Sequence, residues 1–62
     1  LSPAEMIKKL RLEAAAQMLR DTELNIVEIQ TKVGFSNSGY FASCFRQTYG
    51  VSPKEYRNAN KM

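Results

Sequence analysis

The chain has 62 residues, 44% hydrophobic and 24% charged, which allows one small domain that buries only about 60% of the surface its unfolded form exposes. A single cysteine, Cys44, and no histidine exclude an internal disulfide, the usual zinc sites and histidine-based catalysis. No apolar run approaches the roughly 18 residues of a membrane span, so a soluble, cytoplasmic protein with no catalytic residue, metal or cofactor is expected. The net charge of +3 lies wholly beyond residue 35: the first 35 residues balance Lys8, Lys9, Arg11, Arg20 and Lys32 against Glu5, Glu13, Asp21, Glu23 and Glu28, whereas Arg46, Lys54, Arg57 and Lys61 face Glu55 alone. A concentrated basic segment suits a phosphate backbone, and many ordinary solvated surfaces carry as much.

Capping chemistry marks four helix starts. Ser2-Pro3-Ala4-Glu5 offers a hydroxyl cap, proline at the first helical position and a glutamate placed to reach back to the cap amide. Apolar periodicity then continues to about Leu19 and stops at Arg20-Asp21-Thr22-Glu23. Asn25-Ile26-Val27-Glu28 repeats the logic for a short helix with Ile26, Ile29 and Val33 inward. Gly34 lets the chain leave that helix abruptly, Ser36 is expected to cap a third helix over 37–49, and Gly50 follows its end. Ser52-Pro53-Lys54-Glu55 starts a last helix that reaches about Asn60.

At about 100° per residue, the apolar side chains of the first helix, Ile7, Leu10, Leu12, Ala14, Ala15, Ala16, Met18 and Leu19, span an arc of about 240°, where one partner needs a little over 100°. Either alanines on an exposed face simply favour helix, or the helix is sandwiched between two bodies of which one is present. A repeat favours the second reading. Leu1-Ser2-Pro3-Ala4-Glu5-Met6 returns as Val51-Ser52-Pro53-Lys54-Glu55-Tyr56, and a period of about fifty residues normally carries a structural unit before each copy. A lost first unit would then precede Leu1.

The short helix, the turn at Gly34-Phe35-Ser36 and the helix after it have the layout of a helix-turn-helix. On the second helix Phe41, Cys44, Phe45 and Thr48 share one face, expected to form the core with Ile26, Ile29, Val33 and Phe35. Cys44 reads as a small buried hydrophobe. The opposite face carries Gly39, Ala42, Ser43, Arg46 and Gln47, with Asn37, Ser38 and Tyr40 near its start. A helix in the major groove presents such a first turn to base edges: Asn37, Ser38 and Ser43 can hydrogen-bond to bases and Tyr40 can stack or touch a thymine methyl. An ordinary solvated face has a similar composition.

Val33-Gly34-Phe35-Ser36, Tyr40-Phe41, Phe45-Arg46, and Tyr49-Gly50-Val51-Ser52-Pro53 with Tyr56-Arg57 together resemble the C-terminal signature of the AraC/XylS family of bacterial transcription regulators. The stretch from Ile7 to Leu19, with Leu10-Arg11-Leu12-Glu13 and paired alanines, resembles the helix that joins that family's two helix-turn-helix units. The resemblance implies an all-α, homeodomain-like small helical bundle: a linking helix over residues 1–24, then a second helix-turn-helix unit and terminal helix over 25–62, together part of one DNA-binding domain. Its partners would be double-stranded DNA and the missing N-terminal helix-turn-helix and regulatory domain of the same protein.

Carried over by position, the family's base contacts fall on Ser38, Gly39, Tyr40 and Ser43, beside Asn37. Arg46 stands where a basic residue meets a phosphate. Lys54, Arg57, Gln47 and the amides near Asn25 and Ser36 complete the backbone contacts. Three cations, Arg46, Lys54 and Arg57, predict a slope of about −3 for log affinity against log salt. Gln30 departs from the family's small alanine, so either packing there adjusts or the amide points outward. Gly39 and Ser43 are small, so positioning contacts would outweigh direct readout. The alternative function is a helical protein–protein interaction module that uses the apolar face of the first helix, for example as a homodimer through Leu12, Ala16 and Leu19. No constellation of nucleophile, base and orienting group supports an enzyme.

Overall fold

In the computed structural model residues 2–60 are described. Leu1, which opens the repeated box, Lys61, one of the counted cations, and Met62 lie outside them. All regular structure among the described residues is helical: α1 (Pro3–Asp21), α2 (Ile26–Lys32), α3 (Ser38–Tyr49) and α4 (Pro53–Ala59). No helix among them is long and apolar enough to cross a membrane.

The starts are capped by the residues whose chemistry demands it, with one displacement. At Asn25 the box closes both ways, the Glu28 amide donating to Asn25 Oδ1 at 2.7 Å and the Asn25 amide to Glu28 Oε1 at 3.0 Å. Ser52 and Glu55 do the same at 3.1 and 3.2 Å. The Ser52 amide, and with it the Ser52 side chain, holds the Glu55 carboxyl below the usual carboxylate range, as expected for a carboxylate that accepts a backbone hydrogen bond. At Ser2 the described bond is the donation from the Glu5 amide to the hydroxyl, at 3.2 Å.

The cap of α3 is Asn37, not Ser36: Asn37 Oδ1 accepts from the Tyr40 amide at 2.9 Å. The turn itself explains the shift. Gly34 adopts φ +94°; its amide donates to Thr31 O, and the Phe35 amide donates to Gln30 O at 3.0 Å. This is the double bond pattern of a left-handed helix stop, which turns the following apolar residue inward. Phe35 is accordingly buried, at 5% exposure. Ser36 and an extended Asn37 (φ −132°, ψ 123°) are then needed to bring the chain back out before a helix can begin.

The core joins Leu12, Ala15, Ala16 and Leu19 of α1 to Ile29 of α2, Val33 and Phe35 of the turn, and Phe41, Cys44 and Phe45 of α3. Ala15 and Ala16 are fully covered; their small side chains let α1 lie close to its neighbours, α2 and α4. An aromatic file runs through the middle: Phe35 to Phe41 at 5.1 Å between ring centres, Phe41 to Phe45 at 6.0 Å, then Phe45 to Tyr49 at 4.5 Å and to Tyr56 at 5.3 Å. Each phenylalanine buried contributes on the order of 2 kcal/mol.

Three expectations about this core are corrected. Thr48 is exposed, because the last turn of α3 is covered only on its Tyr49 side, where Tyr56 of α4 packs at 5.3 Å. Ile26 is only partly buried, and Leu24, just before the cap, is likewise partly buried against the core. Leu12, Ala16 and Leu19 cannot form a homodimer surface, since each is at most 2% exposed within this chain. The apolar arc of α1 is covered over its C-terminal half and left open at Ile7 and Leu10, which are 50% and 57% exposed, with Met6 beside the arc 45% exposed.

Candidate nucleic-acid interface

The exposed side of α3 follows directly from its buried side. With Phe41, Cys44 and Phe45 turned inward, Gly39, Tyr40, Ser43, Arg46 and Gln47 point outward and are all exposed, Tyr40 at 54%. Ala42 is half-buried at the border. This strip has hydrogen-bonding groups, one ring and one guanidinium, and α3 holds no acidic residue. Gly39 also serves the cap: a Cβ there would sit 3.3 Å from Asn37 Oδ1, pressing on the oxygen that receives the Tyr40 amide.

The expected site residues fall into two groups. Tyr40, Ser43, Arg46 and Gln47 on α3, and Lys54 at the start of α4, are exposed. Ser36 is exposed in the turn, without a capping role. Asn25 and Asn37 are exposed, but their side-chain oxygens are occupied as caps.

Two further residues, Ser38, which is exposed, and Arg57, which is half-buried, are engaged by other groups of the chain. The Ser38 hydroxyl donates to Gln30 Oε1 at 2.6 Å. Arg57 donates from Nε to Leu19 O at 3.2 Å and from Nη2 to Thr22 O at 3.1 Å. Leu19 lies in the last turn of α1 and Thr22 is its C-cap, so the guanidinium sits at the negative end of that helix and satisfies carbonyls that have no partner within it.

Two supports of the site have no local sequence signal. Arg11 Nη1 donates to Gly34 O at 3.2 Å across 23 residues, and its guanidinium carbon lies 3.2 Å from where a Cβ on Gly34 would be. The glycine is required for its positive φ, and a Cβ there would also make the Arg11 guanidinium give by a few tenths of an ångström. Arg20 Nη1 donates to the Tyr56 hydroxyl at 2.7 Å, tying the end of α1 to α4. Gln30, which could have pointed outward, is 5% exposed, and its Nε2 donates to Phe35 O at 2.8 Å. No group of three or more His, Cys, Asp or Glu side chains among the described residues could hold a metal ion.

The profile of a family described as a helix-turn-helix domain matches residues 1–59. The chain belongs to the AraC/XylS family. It is 41% identical over 56 residues to the transcriptional activator RhaS of Mannheimia succiniciproducens, covering 90% of this chain and 21% of that protein. It is 39% identical over 57 residues to "Histidine kinase P4" of Formosa agariphila, covering 92% of this chain and 4% of that protein. Among solved structures, the C-terminal domain of AraT, a response regulator from Geobacillus stearothermophilus, superposes with a TM-score of 0.94 at 39% identity, over 100% of this chain and 51% of that one.

The chain thus spans about a fifth or less of these curated relatives and about half of the solved domain. AraC-type membership makes this an all-α, homeodomain-like helix-turn-helix segment of the kind that the transcription regulators it resembles carry.

Proposed function

We propose that this segment reads double-stranded DNA by laying α3 in the major groove, with Tyr40 and Ser43 toward base edges and Arg46 and Lys54 on phosphates. The observation that carries the reading is the exposed strip of α3, rich in hydrogen-bonding groups and free of acidic residues, backed by the rigid Phe41–Phe45 face. Asn37 can offer only its amide nitrogen to a base while its oxygen caps the helix. Gly39 gives the backbone a close approach, and Gln47 and the amides near Asn25 and Ser36 add neutral backbone contacts. With Arg57 held by Leu19 and Thr22, two cations remain where three were expected. The contribution of this segment to the salt slope is then about −2 rather than about −3.

The test is DNA binding by the full-length chain that carries this segment, measured at several salt concentrations. Arg46→Ala is expected to weaken all duplexes alike and to flatten the slope by about 0.9. Tyr40→Ala and Ser43→Ala are expected to change base preference at separate base pairs and leave the slope alone. An unchanged slope in Arg46→Ala, or unchanged preference in both of the others, would remove α3 from the recognition role.

The open face at Met6, Ile7 and Leu10 supports a second part of the proposal. A shallow groove of about 270 Å³ lies beside it, lined by Ile7, Leu10, Ala14, Met18 and Val33 among others. We infer that residues 1–24 link this unit to an upstream helix-turn-helix of the same protein, which packs on that face, with a regulatory part further off. The period of the Ser-Pro box supports this, as does the half-length match to the AraT domain. The competing reading, a module for other proteins, would have this face bind a partner independently of Arg46.

A further inference from the structure

Gln30 is the one polar side chain buried among the described residues, at 5% exposure, and no buried side-chain polar atom lacks a hydrogen bond. Its backbone and side chain act on the same neighbour. Gln30 O accepts the Phe35 amide at 3.0 Å, and Gln30 Nε2 donates to the Phe35 carbonyl at 2.8 Å. Both polar groups of the Phe35 backbone are therefore satisfied by one residue. The remaining side-chain atom, Oε1, accepts the Ser38 hydroxyl at 2.6 Å, and Ser38 is the first residue of α3. The last turn of α2, the buried apex of the turn and the start of α3 are joined through a single amide.

The rotation of α3 about its own axis decides where Tyr40 and Ser43 point, and a recognition group must be held within about 10–20° of its productive direction. Apolar contacts at Phe41 and Phe45 resist tilting of the helix. They also set which side of α3 faces outward, and the hydrogen bonds at Gln30, which weaken steeply as their angles depart from linear, trim the direction of its first turn within that setting. The alanine that the family resemblance leads one to expect at this position has no side-chain hydrogen bond to offer.

We propose that Gln30 is a positioning residue for DNA reading: through Phe35 and Ser38 it trims the rotation of α3, and it keeps the Ser38 hydroxyl off the bases. Base reading in this segment then belongs to Tyr40 and Ser43, with Ser38 acting on the protein side. The inference rests on the proposed reading of DNA by α3.

The experiment compares Gln30→Ala, Gln30→Met, Ser38→Ala and the Gln30→Ala/Ser38→Ala double variant in the full-length chain, by selection from a randomised duplex pool and by salt titration on the duplex that the unmodified protein prefers. Gln30→Met keeps the volume while removing the hydrogen bonds, so no cavity is left, and the melting temperature of each variant is measured beside its binding. Each Gln30 variant is expected to bind that duplex about tenfold more weakly. Its salt slope should be unchanged and its base preference altered at the base pairs that Tyr40→Ala and Ser43→Ala alter. Ser38→Ala is expected to move the same base pairs in the same sense, and the double variant to add little to either single one.

A change of preference in Ser38→Ala at a base pair untouched by the Gln30 variants would overturn the proposal, because Ser38 would then read a base itself. Gln30 variants that lower the melting temperature and leave base preference intact would also overturn it, since the amide would then be structural only. If the unmodified protein selects no duplex, it is the reading of α3 as the recognition helix that fails, and the positioning role falls with it.

Discussion

Phe45→Ala is expected to remove most of the stability of this chain, shifting urea denaturation by about 3–5 kcal/mol. The ring is fully buried and sits where the aromatic file divides, 6.0 Å from Phe41, 4.5 Å from Tyr49 and 5.3 Å from Tyr56. A cavity there opens between α3 and Tyr56 of α4, and truncation costs the lost transfer energy and the unfilled volume together. Domains of this size hold about 0.05–0.15 kcal/mol per residue, so the loss rivals the total. Phe45→Leu, which keeps most of the volume, should lose under half as much. A shift below about 1 kcal/mol for Phe45→Ala would mean that the surrounding side chains collapse into the space, and that the core does not depend on this ring.

Arg57→Ala is expected to cost about 1.5–3 kcal/mol of folding stability and to leave the salt dependence of DNA binding unchanged. Position in the last helix and positive charge both point to a phosphate contact. The geometry points inward, with two donors of one guanidinium on Leu19 O and Thr22 O. Those carbonyls end a helix of 19 residues, where a cation is favoured by the helix dipole and by unsatisfied acceptors. Arg57→Lys keeps the charge and lacks the planar fork, so it should recover only part of the stability. Paired measurements separate the two roles: denaturation reads the bond to α1, and the salt slope reads the phosphate. A slope flattened by about 0.9 with unaltered stability would return Arg57 to the DNA backbone.

The contrast between Arg46 and Arg57 shows how far a site can be read in a chain of letters. Arg46 follows Phe45 on a helix whose apolar stripe is explicit, so its outward direction follows from the period alone. Arg57 lies on a seven-residue helix too short for its period to say which side faces α1. Ser38 is a similar case: nothing local links it to Gln30 eight residues away. Only the departure of Gln30 from the small residue expected there signalled that the packing was different. The α3 cap misled for a different reason. Ser36 and Asn37 are both good caps, and the choice was made by the need to bury Phe35 between them and Gly34.

The long first helix shows the same division. Its apolar arc is plain from spacing, as is the conclusion that one partner cannot cover it. Which residues each partner covers depends on the angle at which α2 and α4 cross it. The tertiary structure assigns Leu12, Ala15, Ala16 and Leu19 to this chain and leaves Met6, Ile7 and Leu10 open.

What the sequence determined by itself is what short-range chemistry determines: four helices, three of their four caps, the glycine that stops α2 and the apolar side of α3. These depend on contacts within about four residues, where hydrogen-bond partners and side-chain directions repeat by rule. The tertiary structure alone decided how polar groups are shared between helices: Arg57 at the end of α1, Arg11 on the Gly34 carbonyl, and Gln30 between Phe35 and Ser38. Each depends on the distance and angle between two elements, which come from packing the whole core. Long polar side chains reach whichever unsatisfied group that packing brings near them.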